Sequence, residues 1–316
     1  MTPRATVRLQ FNQDFTLDDA VALVPYFRAL GISHLYASPL LAARAGSTHG
    51  YDVVDPTEIN PELGGYAALA RLHCALQRHD MGLILDIVPN HMAASPDNPW
   101  WFDVLQWGRA SPRAAFFDLN WEDRDPEVRG KVFLPVLGDG LDACLERGEL
   151  RIEADEERGI FLVCYFDDRY PLDPRSYDMI FEADGQNWDG LAKGFRRLRD
   201  AFDPGLAKKL CTDLVDWLRV ARPADRGGLL QPFDPSSPSG RERLARLLAV
   251  QNYVLAYWRE AGRRINWRRF FDINQLVALR MDRPEVFEAC HRLIFTLVRD
   301  GIADGLRVDH VDGLAD

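Results

Sequence analysis

Two apolar runs in this chain end in the same way, and that repetition constrains the fold more than any other feature. Gly82-Leu83-Ile84-Leu85 passes into Asp86-Ile87-Val88-Pro89-Asn90-His91, and Gly305-Leu306 passes into Arg307-Val308-Asp309-His310. Short runs this apolar read as parallel strands buried on both faces. Their C-terminal ends present carboxylate, amide, imidazole and guanidinium groups together. In a sheet built of β/α units, that edge is where catalysis sits. The pair predicts an enzyme.

The rest of the chain supplies the units. Val7-Arg8-Leu9 reads as a first strand. Thr16 caps a helix in which Leu17, Val21, Val24, Phe27 and Leu30 recur at helical spacing, with Gly31 as its stop. Ile32 to Tyr36 is a second strand, followed by a polar, Gly-rich loop from Gly46 to Asp52. Gly64-Gly65 opens a second helix with Tyr66, Leu69, Leu72 and Leu76 on one face, and Gly82 to Val88 is the third strand. This alternation predicts an α/β fold, a parallel sheet covered by helices.

After His91 the rhythm breaks. Residues 92–270 are rich in Pro, Trp, Asp and Arg, with apparent strands at Arg151-Ile152-Glu153 and Gly159 to Phe166. Helices are expected near 187–222 and 241–261, and Leu229 to Gly240 reads as a Pro/Ser-rich connection. So long an interruption is no simple loop. The rhythm returns at Phe270, and Asp282, Pro284 and Glu285 form a helix start. Val286, Ala289, Cys290, Leu293, Ile294 and Leu297 make its buried stripe, before a fourth strand from Gly305 to Asp309. The expected organisation is therefore three barrel strands and two helices in 1–91, an inserted domain in 92–270, and a third helix and fourth strand in 271–316. That is the N-terminal half of an eightfold (β/α)8 TIM barrel, incomplete at its C-terminal end.

Composition narrows the partners. A formal net charge of -10 argues against nucleic acid and anionic membrane surfaces. It fits a soluble protein with a neutral ligand. Five scattered cysteines without CxxC spacing read as reduced thiols in a cytoplasmic protein, packed as small core residues. The start, Met1-Thr2-Pro3-Arg4, lacks the apolar run of a signal peptide, and no apolar run is long enough for a membrane span. No metal-binding cluster, phosphate loop or Ser/His/Asp set stands out, so no cofactor is predicted.

Asp309 lies two residues after Arg307, so both side chains point to one face of the strand. An arginine beside a carboxylate favours its charged form. Such a carboxylate suits attack on an anomeric carbon. A structural ion pair is the plain alternative; the second polar strand end weighs against it. His91 can hydrogen-bond a sugar hydroxyl, or be a satisfied core histidine. Asn90 can hold the loop, and Asp86, inside its strand, can brace Arg307. Tyr51 can stack on a sugar ring, and Asp52 can bond a hydroxyl or pair with an arginine. Trp100, Trp101, Trp107 and Trp121 read mainly as core of the insertion.

These residues resemble a known family. DIVPNH (86–91) is similar to the strand-three signature of the α-amylase superfamily, glycoside hydrolase family 13, and GLRVDH (305–310) to its strand-four signature. HGYDVVDP (49–56), followed by NPELGG (60–65), is similar to its strand-two loop, and the insertion takes the place of its domain B. ATVRLQF (5–11), INWRRFFDINQLVALR (265–280) and GLRVDHVDGLAD (305–316) resemble the maltooligosyltrehalose synthases within it. The resemblance implies an isomerase acting by intramolecular transglucosylation, converting the reducing-end α-1,4 linkage of a maltooligosaccharide to α,α-1,1, in trehalose biosynthesis. It implies Asp309 as nucleophile and Arg307 as its partner. Tyr51, His91 and His310 would be sugar-binding, with Asn90, Asp86 and Asp52 beside them. It also implies a glutamate acid with no counterpart in these residues, and a trehalose-releasing hydrolase as a functional partner. It does not carry the superfamily's frequent calcium site. Two other readings stay open: a hydrolase or glucanotransferase of the same superfamily, and a non-catalytic sugar-binding module.

Overall fold

The computed structural model describes residues 2–183 and 189–314. The chain divides into two compact units, one of Met1–Pro99, Ala115–Asp118 and Arg268–Asp316, the other of Trp100–Ala114 and Leu119–Trp267.

The first unit is built on a parallel sheet. Its strands are β1 (Thr6–Leu9), β2 (His34–Ala37), β3 (Gly82–Ile87) and β4 (Gly305–Val308), in that spatial order. The helices between them are α1 (Leu17–Ala29), α2 (Gly65–Arg78) and α3 (Pro284–Arg299). Thr6 pairs with His34, His34 with Gly82, and Arg307 with Asp86. The two central strands are covered, with Leu35, Ala37, Leu83, Leu85 and Ile87 all buried, but β4, expected to be buried on both faces, is an edge strand whose Leu306 and Val308 are exposed.

Local chemistry sets the helix ends. Thr16 and Asp19 form a reciprocal capping box at the start of α1. Leu17, Ala20, Val24 and Phe27 are buried beneath it, whereas Leu30, placed on the buried face from its spacing, is the exposed C-cap. In α2 the stripe is Leu69, Leu72 and Leu76; Tyr66 lies outside it, exposed. At α3 the cap is Arg283 rather than Asp282, whose carboxylate is taken by Arg280 at 2.6 and 2.9 Å. Val286, Cys290, Ile294 and Leu297 are buried there as the spacing predicts, together with His291.

Two shorter structures decorate the C-terminal edge of the sheet. Leu41–Ala43 and Val53–Ile59 pair antiparallel around the Gly-rich loop. His91–Ala93 pairs antiparallel with Ile273–Ala278, which pairs in turn with Arg269–Phe270. The residues after His91 thus return to the first unit, and the second unit begins only at Trp100.

The second unit contains an antiparallel sheet of Leu150–Asp155, Ile160–Tyr165 and Asp168–Pro171, matching the apparent strands in the sequence. The helix expected over 241–261 splits: Pro238–Ala249 is helical, but Tyr253–Tyr257 is a strand beside Val132–Leu137. Tyr and Val in Tyr253-Val254 favour a pleated, half-buried surface, and tertiary pairing overrides the helical spacing. The stretch 187–222 holds Asp189–Asp200 and Pro204–Val220, interrupted by the Asp203 cap and Pro204; residues 187 and 188 lie outside the described residues. Trp100 and Trp101 are buried, and Trp107 and Trp121 half-buried. Among the described residues no helix is long and apolar enough to cross a membrane.

Candidate active site

The polar residues at the ends of β3 and β4 converge on Asp86. Its buried carboxylate accepts from Arg307 Nη1 at 2.9 Å, Tyr36 Oη at 2.8 Å and Tyr51 Oη at 2.6 Å. Three donors make the burial of this side chain tolerable. Arg307 Nη1 also donates to Asp309 Oδ1 at 2.5 Å, so one guanidinium joins the two strand ends. The hydrogen bond to Asp86 raises the Arg307 pKa further above its ordinary value. Burial, and then the bond to Asp86, push the Tyr51 phenol up to about 12, so it stays a donor at neutral pH.

Tyr51 is held from the other side by Arg8 Nη2 at 3.2 Å, and the Arg8 guanidinium lies 5.4 Å from the Tyr36 ring centre. The turn that delivers Tyr51 depends on Gly50, at φ +76°. Asp52 faces its own loop, accepting from Ser47 Oγ at 2.5 Å with His49 Nδ1 3.7 Å away.

His91 is fully buried, and its Nε2 has no hydrogen-bond partner. Burial pushes its imidazole down to about 4; the backbone of Tyr51 opposes this, and His310 and Arg268 reinforce it. Asn90 Nδ2 is 3.3 Å from His91 Nδ1, while Asn90 Oδ1 accepts from Arg268 Nη1 at 3.0 Å. His310, at φ +50°, packs edge-on to Phe270 with centroids 4.8 Å apart. Phe270 also meets His91, with ring centroids 4.2 Å apart.

Beside this network lies a cleft of about 440 Å3, lined by Arg44, His49, Tyr51, Asp52, Phe270, Ile273, Gln275, Leu276 and Asp309. An apolar wall with a few convergent polar groups is the usual lining of a small-molecule site. Asp309 and Tyr51 face it directly. Asp86 lies behind them, as a brace. The sequence reading did not single out Arg8, Tyr36, Arg268 or Phe270. Arg8 and Tyr36 carry the same signal as the two motifs, a polar residue near a strand end, but singly. Among the described residues no group of three His, Cys, Asp or Glu side chains converges as a metal ion would need.

Residues 16–139, which carry β2, β3 and the polar end of β3, match the alpha-amylase catalytic domain. Over those residues the chain is similar to the α-amylase superfamily. Within it, the chain is similar to the maltooligosyltrehalose synthases. It is 36% identical over 304 residues to the putative maltooligosyl trehalose synthase of Mycobacterium tuberculosis, across 96% of this chain and 29% of that protein. The structure of maltooligosyltrehalose synthase from Arthrobacter ramosus is 35% identical, with a TM-score of 0.70, across 99% of this chain and 32% of that one. The hypothetical maltooligosyl trehalose synthase from Sulfolobus tokodaii gives 30% identity and a TM-score of 0.68, across 99% and 32%. The chain thus spans about a third of the length of these relatives.

Proposed function

We propose that these residues form the first half of the barrel of a maltooligosyltrehalose synthase, with the second unit as its domain B. The carrying observation is the Arg307 fork, which holds Asp309 beside the cleft while tied to buried Asp86. In this reading Asp309 is the nucleophile of a retaining double displacement. It attacks the anomeric carbon of the penultimate glucose as an acid from outside residues 1–316 protonates the leaving oxygen. The two carboxyls would lie about 5–5.5 Å apart. The released glucose stays bound, turns, and offers its own anomeric hydroxyl to the glycosyl-enzyme, giving the α,α-1,1 linkage. Tyr51, His91 and His310 position the sugar, with Asn90 and Asp52 supporting the loops around them. Exclusion of water decides between this isomerisation and hydrolysis. A trehalose-releasing hydrolase would consume the product.

The test uses the full-length polypeptide that carries these residues, with maltopentaose as substrate. Isomerisation removes reducing ends at constant mass; hydrolysis creates them. Asp309→Asn is expected to abolish the loss of reducing ends while leaving the fold intact. Near-normal turnover in that variant sinks the assignment, and newly created reducing ends in the wild type favour the hydrolase reading.

A further inference from the structure

Arg268 touches four separate segments of the first unit. Its Nε donates to Asp118 Oδ2 at 2.8 Å. Nη1 donates to Asn90 Oδ1 at 3.0 Å and to the Gly313 carbonyl at 2.8 Å, and Nη2 to the Leu279 carbonyl at 3.2 Å. Asn90 precedes His91 at the end of the β3 motif, and Gly313 lies in the turn after the β4 motif. One side chain therefore ties together the two loops that bear His91 and Asp309. The planar guanidinium, with its five donors in a fixed fork, can do this where a lysine ammonium cannot.

Of the two residues after it, Phe270 meets the histidines of these loops and Arg269 does not. Arg269 turns away to Asp272 Oδ1 at 2.9 Å and Asn274 Oδ1 at 2.7 Å. The Phe270 ring meets both His91, at 4.2 Å, and His310, at 4.8 Å. Gly313 completes the arrangement: a Cβ there would fall 2.1 Å from His310 Cδ2.

We infer that Arg268 is a positioning residue for the candidate site, holding the Asn90–His91 pair and the 310–313 turn in register. Its effect on turnover rests on the proposed synthase reading; its effect on the two histidines does not.

The experiment follows the His91 and His310 imidazoles by NMR in isotopically labelled chain, for the wild type, Arg268→Lys and Arg268→Met. Arg268, His310, the Asn90 amide, the Tyr51 backbone and the Phe270 ring are the groups around His91. In Arg268→Met, the His91 pKa is expected to rise from about 4, because a cation is removed. The His310 ring resonances should move as the 310–313 turn loosens. Arg268→Lys should keep the His91 pKa low, since the charge remains, yet still displace His310. Amide shifts in α1 and β1 report whether each variant is folded. A folded Arg268→Met with unchanged His91 titration and His310 shifts overturns the inference. In the full-length polypeptide, Arg268→Lys is expected to lower kcat by about 10- to 100-fold, the cost of misplacing reacting groups by an ångström or so, with little change in KM. Absence of synthase activity in the wild type would sink the functional reading alone, because the histidine shifts are read independently.

Discussion

Arg307 and Asp86 face each other as register partners across β4 and β3, and their side chains meet at 2.9 Å. Asp86 is buried while Arg307 keeps one flank exposed, so the pair passes the rigidity of the sheet outward to Asp309. Replacing Asp86 by alanine would remove the acceptor of three donors at once. The expected cost is about 1–3 kcal/mol, the range for leaving polar groups without their acceptor, because two phenols lose this bond while Arg307 stays partly exposed and keeps Asp309. Urea unfolding of Asp86→Ala measures this. A loss below about 1 kcal/mol, the scale of surface pairs, would mean the network does not stiffen the strand ends.

The two tyrosines on Asp86 are not equivalent. Tyr51 is also clamped by the Arg8 guanidinium and lines the cleft; Tyr36 does not line it. Tyr51→Phe and Tyr36→Phe each remove one hydrogen bond to a charged acceptor, worth about 1.5–3 kcal/mol. Similar stability losses are expected from both. Only Tyr51→Phe should weaken maltooligosaccharide binding, measured by calorimetry on the full-length polypeptide. Equal binding losses would place the effect in the network rather than in the cleft.

His91 makes stability depend on pH. Its folded pKa lies near 4 and its ordinary value is 6.5, so between these the unfolded chain binds a proton that the folded chain refuses. Stability is therefore complete above pH 6.5 and falls as pH drops toward 4, by about 3 kcal/mol in full. Burial pushes His291 down as well, which adds in the same direction. Urea midpoints at pH 7 and pH 4.5 should differ less in His91→Gln than in the wild type. An unchanged pH dependence would show that His91 is not held neutral by its surroundings.

The two central strands of the sheet were legible in the sequence because they are buried and carry no ambiguity of period, whereas β4, at the edge, leaves Leu306 and Val308 exposed. Leu83, Leu85 and Ile87 could hardly be placed elsewhere. Asp309 and Arg307 were legible because alternation along one strand puts them on one face. Legibility failed where a distant partner decided the outcome. Asp282 has the chemistry of a helix cap, but Arg280 takes its carboxylate. Tyr253–Tyr257 lies where helical spacing was expected, and only its partner at Val132–Leu137 makes it a strand. Arg268 lies in the 265–280 stretch that carries the resemblance, but nothing local gave it a role, since its acceptors lie 11 to 178 residues away. Such a residue can be recognised only once the chain has folded around it.

Gly50 tests whether the loop after β2 is as tightly specified as the strand ends. Its φ of +76° disfavours any L side chain, and a Cβ would lie 2.7 Å from the Pro39 carbonyl oxygen. Gly46 has a similar φ, +71°, but open space around it. Gly46→Ala should therefore cost only the backbone strain, about 1 kcal/mol. Gly50→Ala should cost roughly 2–3 kcal/mol or more, because the carbonyl must move as well. The movement has a direction that can be read. Gly50 N donates to Ser47 Oγ and Tyr51 N to His49 Nδ1, so a displaced Gly50 pulls the Tyr51 hydroxyl away from Asp86. Loss of that acceptor removes one of the causes that raise the phenol toward 12, and the Tyr51 titration should fall in Gly50→Ala but not in Gly46→Ala. Ultraviolet titration against a Tyr51→Phe reference measures it. Equal behaviour of the two glycine variants would show that the loop finds another path to the same contact.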